Sequence, residues 1–207
     1  MIEVLISNKS NYLLFLICYF IGSIPFGYIF YKIIKKDDIR NHGSGNIGAT
    51  NVTRLIGKKF GTITLILDFL KTLCPCLIMH KYFGTEVGAA CGFLTILGHI
   101  FPIWLKFKGG KGVASFMGFM LATSLPLFIV LIINWLVIVR IFKYSAIAAI
   151  VSILINLITF KIILFTQFNY GILLWINGDP IELQFVLFIS IIILIKHYTN
   201  IIKISKK

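Results

Sequence analysis

Three short stretches of this sequence concentrate groups that bind oxyanions. From Asn41 to Arg54 the chain reads NHGSGNIGATNVTR. Gly43 and Gly45 permit backbone conformations that turn successive N–H groups toward one concavity, and Ser44, Asn46, Thr50 and Asn51 add short side-chain donors. Arg54 supplies a planar guanidinium whose paired N–H groups match two phosphate oxygens. Gly43, Gly45 and Gly48 also fit the spacing GxGxxG, but a dinucleotide site needs that motif between a strand and a helix. Here an apolar helix and a charged loop precede it, which excludes a Rossmann unit.

The second stretch, Gly98 to Ser115, reads GHIFPIWLKFKGGKGVAS. An apolar run enters Lys108, Gly109, Gly110, Lys111 and Gly112 just before another helix begins, and cationic, glycine-rich helix N-termini favour anions. It is no Walker A loop, because Gly112 follows Lys111 where that motif needs Ser or Thr. The third stretch, KHYTNI from Lys196 to Ile201, holds His197 and Asn200 three residues apart, on one face of a continuing helix. Asp68 and Lys71 are also three apart, inside an apolar segment where charge is costly and usually paired. They read as a structural pair near the site.

The elements that must position these groups are membrane helices. Of the 207 residues 58% are hydrophobic and 13% charged, about half the charge of an ordinary globular domain, an excess no small soluble core can hide. Apolar segments run over 12–34, 62–79, 87–105, 113–139, 145–165 and 181–195, each near the length of a bilayer crossing. The first is too long for a secretory signal and lacks a small-residue cleavage site, so it reads as a retained span. The four cysteines fall within apolar segments and read as packing, and Cys74 and Cys76 lack the further ligands a metal site needs.

The net charge of +13 follows from the membrane as well. Sixteen of the 20 basic residues cluster at 32–59, 106–111, 140–143 and 196–207, regions the positive-inside rule places in the cytoplasm. Without a basic, aromatic soluble module, nucleic acid is not expected as a partner. Cationic loops at both ends of 113–139 require an even number of crossings between them. A hairpin turning at Thr123 to Pro126, built from two short helices, satisfies that parity. The expectation is an all-α polytopic membrane protein of about seven transmembrane helices, forming one domain over 1–207, with its N-terminus outside and its C-terminus cytoplasmic.

The segments GSGNIGATNVTRLIG, GHIFPIWLKFKGGKGVAS and HYTNI, preceded by GSIPFGYI from Gly22 to Ile29, together resemble the PlsY family, the membrane-bound acyl-phosphate:glycerol-3-phosphate acyltransferases of bacteria. The resemblance spans the chain. It implies a seven-helix fold in the bacterial cytoplasmic membrane, with the active site facing the cytoplasm. The implied reaction moves a fatty acyl group from a long-chain acyl phosphate to the sn-1 hydroxyl of glycerol 3-phosphate, releasing lysophosphatidic acid and phosphate, the first acylation step of phospholipid biosynthesis.

By the same resemblance Ser44, Arg54, Lys111 with its neighbour Lys108, His197 and Asn200 bind glycerol 3-phosphate. Ser44, His197 and Asn200 are the catalytic candidates. Gly43, Gly45, Asn46, Thr50, Asn51, Arg54, Lys108, Gly109, Gly110 and Lys111 are the candidates for substrate binding. No metal or cofactor is expected; the partners are the two substrates and membrane lipids, and docking of a soluble acyl-phosphate synthase is left open. Catalysis of transfer from a mixed anhydride can rest on orientation and on donors to developing charge. The substrate's phosphate or His197 then takes the hydroxyl proton. No histidine is followed five residues later by Asp, which excludes the mechanism of soluble-fold glycerophosphate acyltransferases. A transporter would show an internal repeat, and a Mg²⁺-dependent phosphotransferase would need clustered carboxylates; neither is present in the sequence.

Overall fold

The computed structural model describes residues 11–205, with side chains through residue 198; all regular structure among them is helical. The helices are α1 (Tyr12–Ser23), α2 (Phe26–Lys35), α3 (Ala49–Ile56), α4 (Lys58–Phe83), α5 (Thr85–Ile100), α6 (Val113–Thr123), α7 (Leu125–Phe142), α8 (Ser145–Tyr170) and α9 (Pro180–Ser205). Six stretches are long and apolar enough to cross a membrane: 12–35, 58–83, 85–105, 125–142, 145–170 and 180–198.

The centre is α5, which packs against α1, α4, α6 and α9. Its most apolar window is 72% buried, against 17% for α7, which turns most of its surface outward. Small residues make this possible. The Gly22 Cα lies against the Thr95 carbonyl, and Gly98 against the Tyr19 carbonyl, so α1 and α5 meet backbone to backbone, as small residues allow between membrane helices. Phe116, Phe119, Ile96 and Ile153 belong to the core cluster shared by these helices and are almost wholly buried. Three cysteines share that core, but Cys74 is exposed on the outer surface of α4.

Two features depart from the expected layout. The first apolar run is broken at Ile24, whose extended backbone precedes Pro25, so α1 and α2 are separate helices and the Ile24 carbonyl is turned out of the helical ladder. The second half of the glycine-rich loop is the helix α3, not irregular chain. The expected hairpin is present but unequal. Ser124, extended at φ −158°, divides an 11-residue α6 from an 18-residue α7. At 1.5 Å per residue α6 rises roughly 16 Å, about half a bilayer core, so only one of its two arms is short.

That hairpin brings the basic loops together. Gly112 and Ser145, which flank α6 and α7, line one cavity, whereas Thr123 at the turn lines a cleft at the opposite end of the bundle. Arg40 Nη1 donates to the Leu105 carbonyl at 3.2 Å, and Lys196 Nζ lies 4.3 Å from the centre of the Phe101 ring. The loops at 36–48 and 101–112, the α7–α8 corner and the end of α9 therefore share one end.

Candidate active site

The loop between α2 and α3 is organised by one amide. Asn51 is almost wholly buried; its Oδ1 accepts from the Ser44 N–H at 2.9 Å, and its Nδ2 donates to the carbonyls of His42 and Asn46 at 3.1 and 2.9 Å. Gly43, at φ +60°, passes so close to Asn51 Oδ1 that a Cβ would overlap it, so glycine is required there. Outside the spans, Arg40 forks onto Asp38 with its shortest contact at 2.6 Å and holds that carboxyl below the usual range. With its bond to Leu105, Arg40 ties the first loop to the second.

The second loop folds back on the end of α5. The N–H groups of Gly109 and Gly110 donate to the carbonyls of Ile100 and His99, at 3.2 and 3.0 Å. Lys111 follows, and α6 begins two residues later.

Between these loops lies a cavity of about 280 Å³ with two different ends. Ser44, Asn46, Thr50, Arg54, Lys111 and His197 line the polar end, to which the first residues of α3 and α6 also contribute. Two helix N-termini, a guanidinium and a lysine make that end attractive to a phosphate. Met117, Ile132, Trp135, Leu136 and Ala149 line the other end, which suits an alkyl chain. Below the polar end stand Asp68 and His99. The cleft at the far end of the bundle is larger, about 770 Å³, but no described residue of the three oxyanion-binding stretches lines it.

His197 is buried, and its Nδ1–H donates to the Ile193 carbonyl one turn earlier at 2.8 Å. In the neutral ring the remaining nitrogen, Nε2, is then an acceptor. Asp68 and Lys71 form an ion pair of 2.7 Å inside the bundle, with His99 Nδ1 2.9 Å from the lysine nitrogen. Among the described residues, no three His, Cys, Asp or Glu side chains gather as a metal site would require.

Comparison with known proteins decides the family. The family profile for glycerol-3-phosphate acyltransferase matches residues 12–207. The chain belongs to this family. Relatives include the glycerol-3-phosphate acyltransferases of Bartonella henselae, 40% identical over 93% of this chain and 87% of the relative, and of Pelagibacter ubique, 44% identical over 81% and 82%. Among solved structures, the integral membrane glycerol 3-phosphate acyltransferase PlsY in its glycerol 3-phosphate form matches with a TM-score of 0.82 and 35% identity, covering 96% of this chain and 93% of that one. Its lysophosphatidic acid form matches with a TM-score of 0.79 and 34% identity.

Within this glycerol-3-phosphate acyltransferase fold the structure sorts the candidates into two groups. Ser44, Asn46, Thr50, Asn51, Arg54, Lys111 and His197 reach the cavity. Gly43, Gly45, Lys108, Gly109 and Gly110 stand behind its wall, and three of them have spent the N–H groups expected to meet an oxyanion: Gly45 donates to the His42 carbonyl, and Gly109 and Gly110 to the end of α5. Of the two lysines, Lys111 lines the cavity and Lys108 is exposed beside it. Asn51 is equally committed, since its amide makes three bonds within the loop. The side chain of Asn200 lies outside the described residues. The motif reading missed Trp135 and His99 on the cavity wall and Arg40 as the cross-tie. Trp135 reads in sequence as a membrane-interface anchor, and His99 carries no local signal beyond its place at the end of an apolar run.

Proposed function

We propose that this chain transfers a fatty acyl group from acyl phosphate to the sn-1 hydroxyl of glycerol 3-phosphate, giving lysophosphatidic acid and inorganic phosphate. We place the reaction at the cytoplasmic face of a bacterial inner membrane. The observation that carries this reading is the single cavity that joins Ser44, Arg54, Lys111 and His197 to an apolar wall containing Trp135. One such space accommodates both a phosphate and an alkyl chain. Membership of the glycerol-3-phosphate acyltransferase family supports the acceptor.

Arg54 and Lys111 hold the phosphate of glycerol 3-phosphate, and Ser44 donates to it. The sn-1 oxygen attacks the acyl carbonyl carbon; the bond from that carbon to the phosphate oxygen breaks, and phosphate departs with the electron pair. Because the leaving group is a phosphate, a strong base is not needed, and orientation supplies much of the acceleration. The hydroxyl proton passes to the phosphate of glycerol 3-phosphate, a monoester whose second ionisation lies near pH 6. A second reading is favoured by the hydrogen bond from His197 to Ile193, which leaves Nε2 able to take that proton itself.

The test is purified protein in detergent or vesicles with glycerol 3-phosphate and either acyl phosphate or acyl-CoA. Lysophosphatidic acid should form from acyl phosphate alone; formation from acyl-CoA at a comparable rate overturns the donor assignment.

A further inference from the structure

Beneath the polar end of the cavity, Lys71 is held from three sides. An ammonium carries three N–H bonds and no acceptor. Its Nζ lies 2.7 Å from Asp68 Oδ1, 2.9 Å from the Ile24 carbonyl freed at the α1–α2 break, and 2.9 Å from His99 Nδ1. His99 Nδ1 faces the Lys71 nitrogen and, at 3.4 Å, Asp68 Oδ1; toward an ammonium at Lys71 it acts as acceptor, and the two contacts hold the ring's plane against α4.

The other edge of the ring carries the second loop. A Cβ on Gly110 would overlap His99 Nε2, so the ring fills the place a side chain would take. The main chain repeats the contact, since Gly110 N–H donates to the His99 carbonyl. Four residues past Lys111, Ser115 Oγ donates to the Asp68 carbonyl at 3.0 Å. The stretch that presents Lys111 is thus held on both flanks by residues of one buried group.

Burying such charges inside a bundle is costly, and an ion pair of this kind adds little stability compared with apolar packing of the same volume. A positional role accounts for what stability does not. We propose that His99, held by Lys71 and Asp68, is a positioning residue for acyl transfer: it sets the loop that brings Lys111 to the phosphate of glycerol 3-phosphate. This rests on the assignment of Arg54 and Lys111 as the phosphate-holding pair.

The experiment measures KM for each substrate in folded, purified variants. His99→Leu should raise the KM for glycerol 3-phosphate about tenfold while that for acyl phosphate changes less than about twofold. His99→Asn, whose amide oxygen can take the place of Nδ1 as acceptor for Lys71, should return the KM to within about threefold of the parent. In a Lys111→Ala background His99→Leu should add less than about twofold, because both changes remove one interaction. An unchanged glycerol 3-phosphate KM in His99→Leu, or an effect that multiplies fully with Lys111→Ala, overturns the proposal. Should His99→Leu fail to fold, Gly110→Ala disturbs the same contact from the loop side. It should raise the same KM and lose its effect in Lys111→Ala; an unchanged KM overturns the proposal equally. Arg54→Lys is measured in parallel. If it leaves the glycerol 3-phosphate KM unaltered, the assignment of the phosphate pair is wrong; if it alone raises that KM, only the role of His99 is wrong.

Discussion

Arg54 Nη1 lies 3.4 Å from Asn51 Oδ1, the same oxygen that accepts the Ser44 N–H at 2.9 Å. One amide therefore sets both the loop that carries Ser44 and the direction in which the guanidinium leaves α3. Among the described residues that guanidinium makes no other hydrogen bond, and the Arg54 side chain lines the cavity. Arg54→Lys keeps the charge but loses the planar fork, a loss of about 1.5 to 3 kcal/mol for a charged hydrogen bond. Steady-state kinetics should show the KM for glycerol 3-phosphate rising about tenfold or more, with the acyl phosphate KM little changed.

Asn51→Asp is nearly isosteric and preserves the acceptor for Ser44. It removes both donors to the carbonyls of His42 and Asn46, and it places a carboxylate beside Arg54 where it competes with the substrate's phosphate. The expected result is a fall in kcat/KM for glycerol 3-phosphate of about 100-fold, since unmaking buried hydrogen bonds and pairing off the cation each cost about 1 to 3 kcal/mol. Asn51→Ser, lacking the charge, should lose less; equal losses would show that Arg54 is not the competing partner.

Orientation is tested by labelling. Single cysteines at Asn41, Lys108 and Lys143, in a background without the four native thiols, should be modified by a membrane-impermeant reagent only from the cytoplasmic side. Thr85 and Asn177 should react from outside. Lys108 and Lys143 on opposite faces would contradict the reversal at Ser124.

The long spans were legible because a bilayer imposes a length and a composition that a single sequence displays. The reversal at Ser124 needed a further argument, from the charges flanking 113–139, because Thr123, Ser124 and Pro126 alone do not divide an apolar run of that length. Helix α3 was hidden by its composition: glycines and short polar residues up to Asn51 read as loop, while the turns that make it a helix depend on Val52 packing against Ile39, Ile47 and Leu105. The lining of the cavity was legible where groups are local in sequence, as at Ser44, Arg54, Lys111 and His197. It was not legible where partners are distant: Lys71 and His99 are 28 residues apart, and Arg40 and Leu105 are 65 apart. The turning back of the Gly109 and Gly110 N–H groups to α5 was illegible for the same reason, since only the fold shows it.

Activity should survive exhaustive chelation. The polar end of the cavity presents Arg54, Lys111 and two helix N-termini, fixed positive groups that meet phosphate charge without a divalent ion. Acyl transfer measured after EDTA treatment and desalting should remain within about twofold of the untreated rate, and restoration of a lost rate by Mg²⁺ would require a metal-assisted mechanism instead.

The route of the proton is decided at His197. Its Nδ1–H is held by the Ile193 carbonyl, so any proton it accepts must arrive at Nε2. His197→Gln keeps a polar group that can meet the glycerol hydroxyls but removes the base. If the substrate's phosphate takes the proton, this variant keeps kcat within about tenfold of the parent. Its rate should then rise with pH through about 6, because the monoester gains its basic dianion as its second proton leaves. Replacing the phosphate by a phosphonate of shifted second ionisation should move that rise in the same direction. A loss of about 100-fold or more in kcat at unchanged KM would instead make His197 the general base. In that case the residual rate of His197→Gln should no longer follow the ionisation of the substrate.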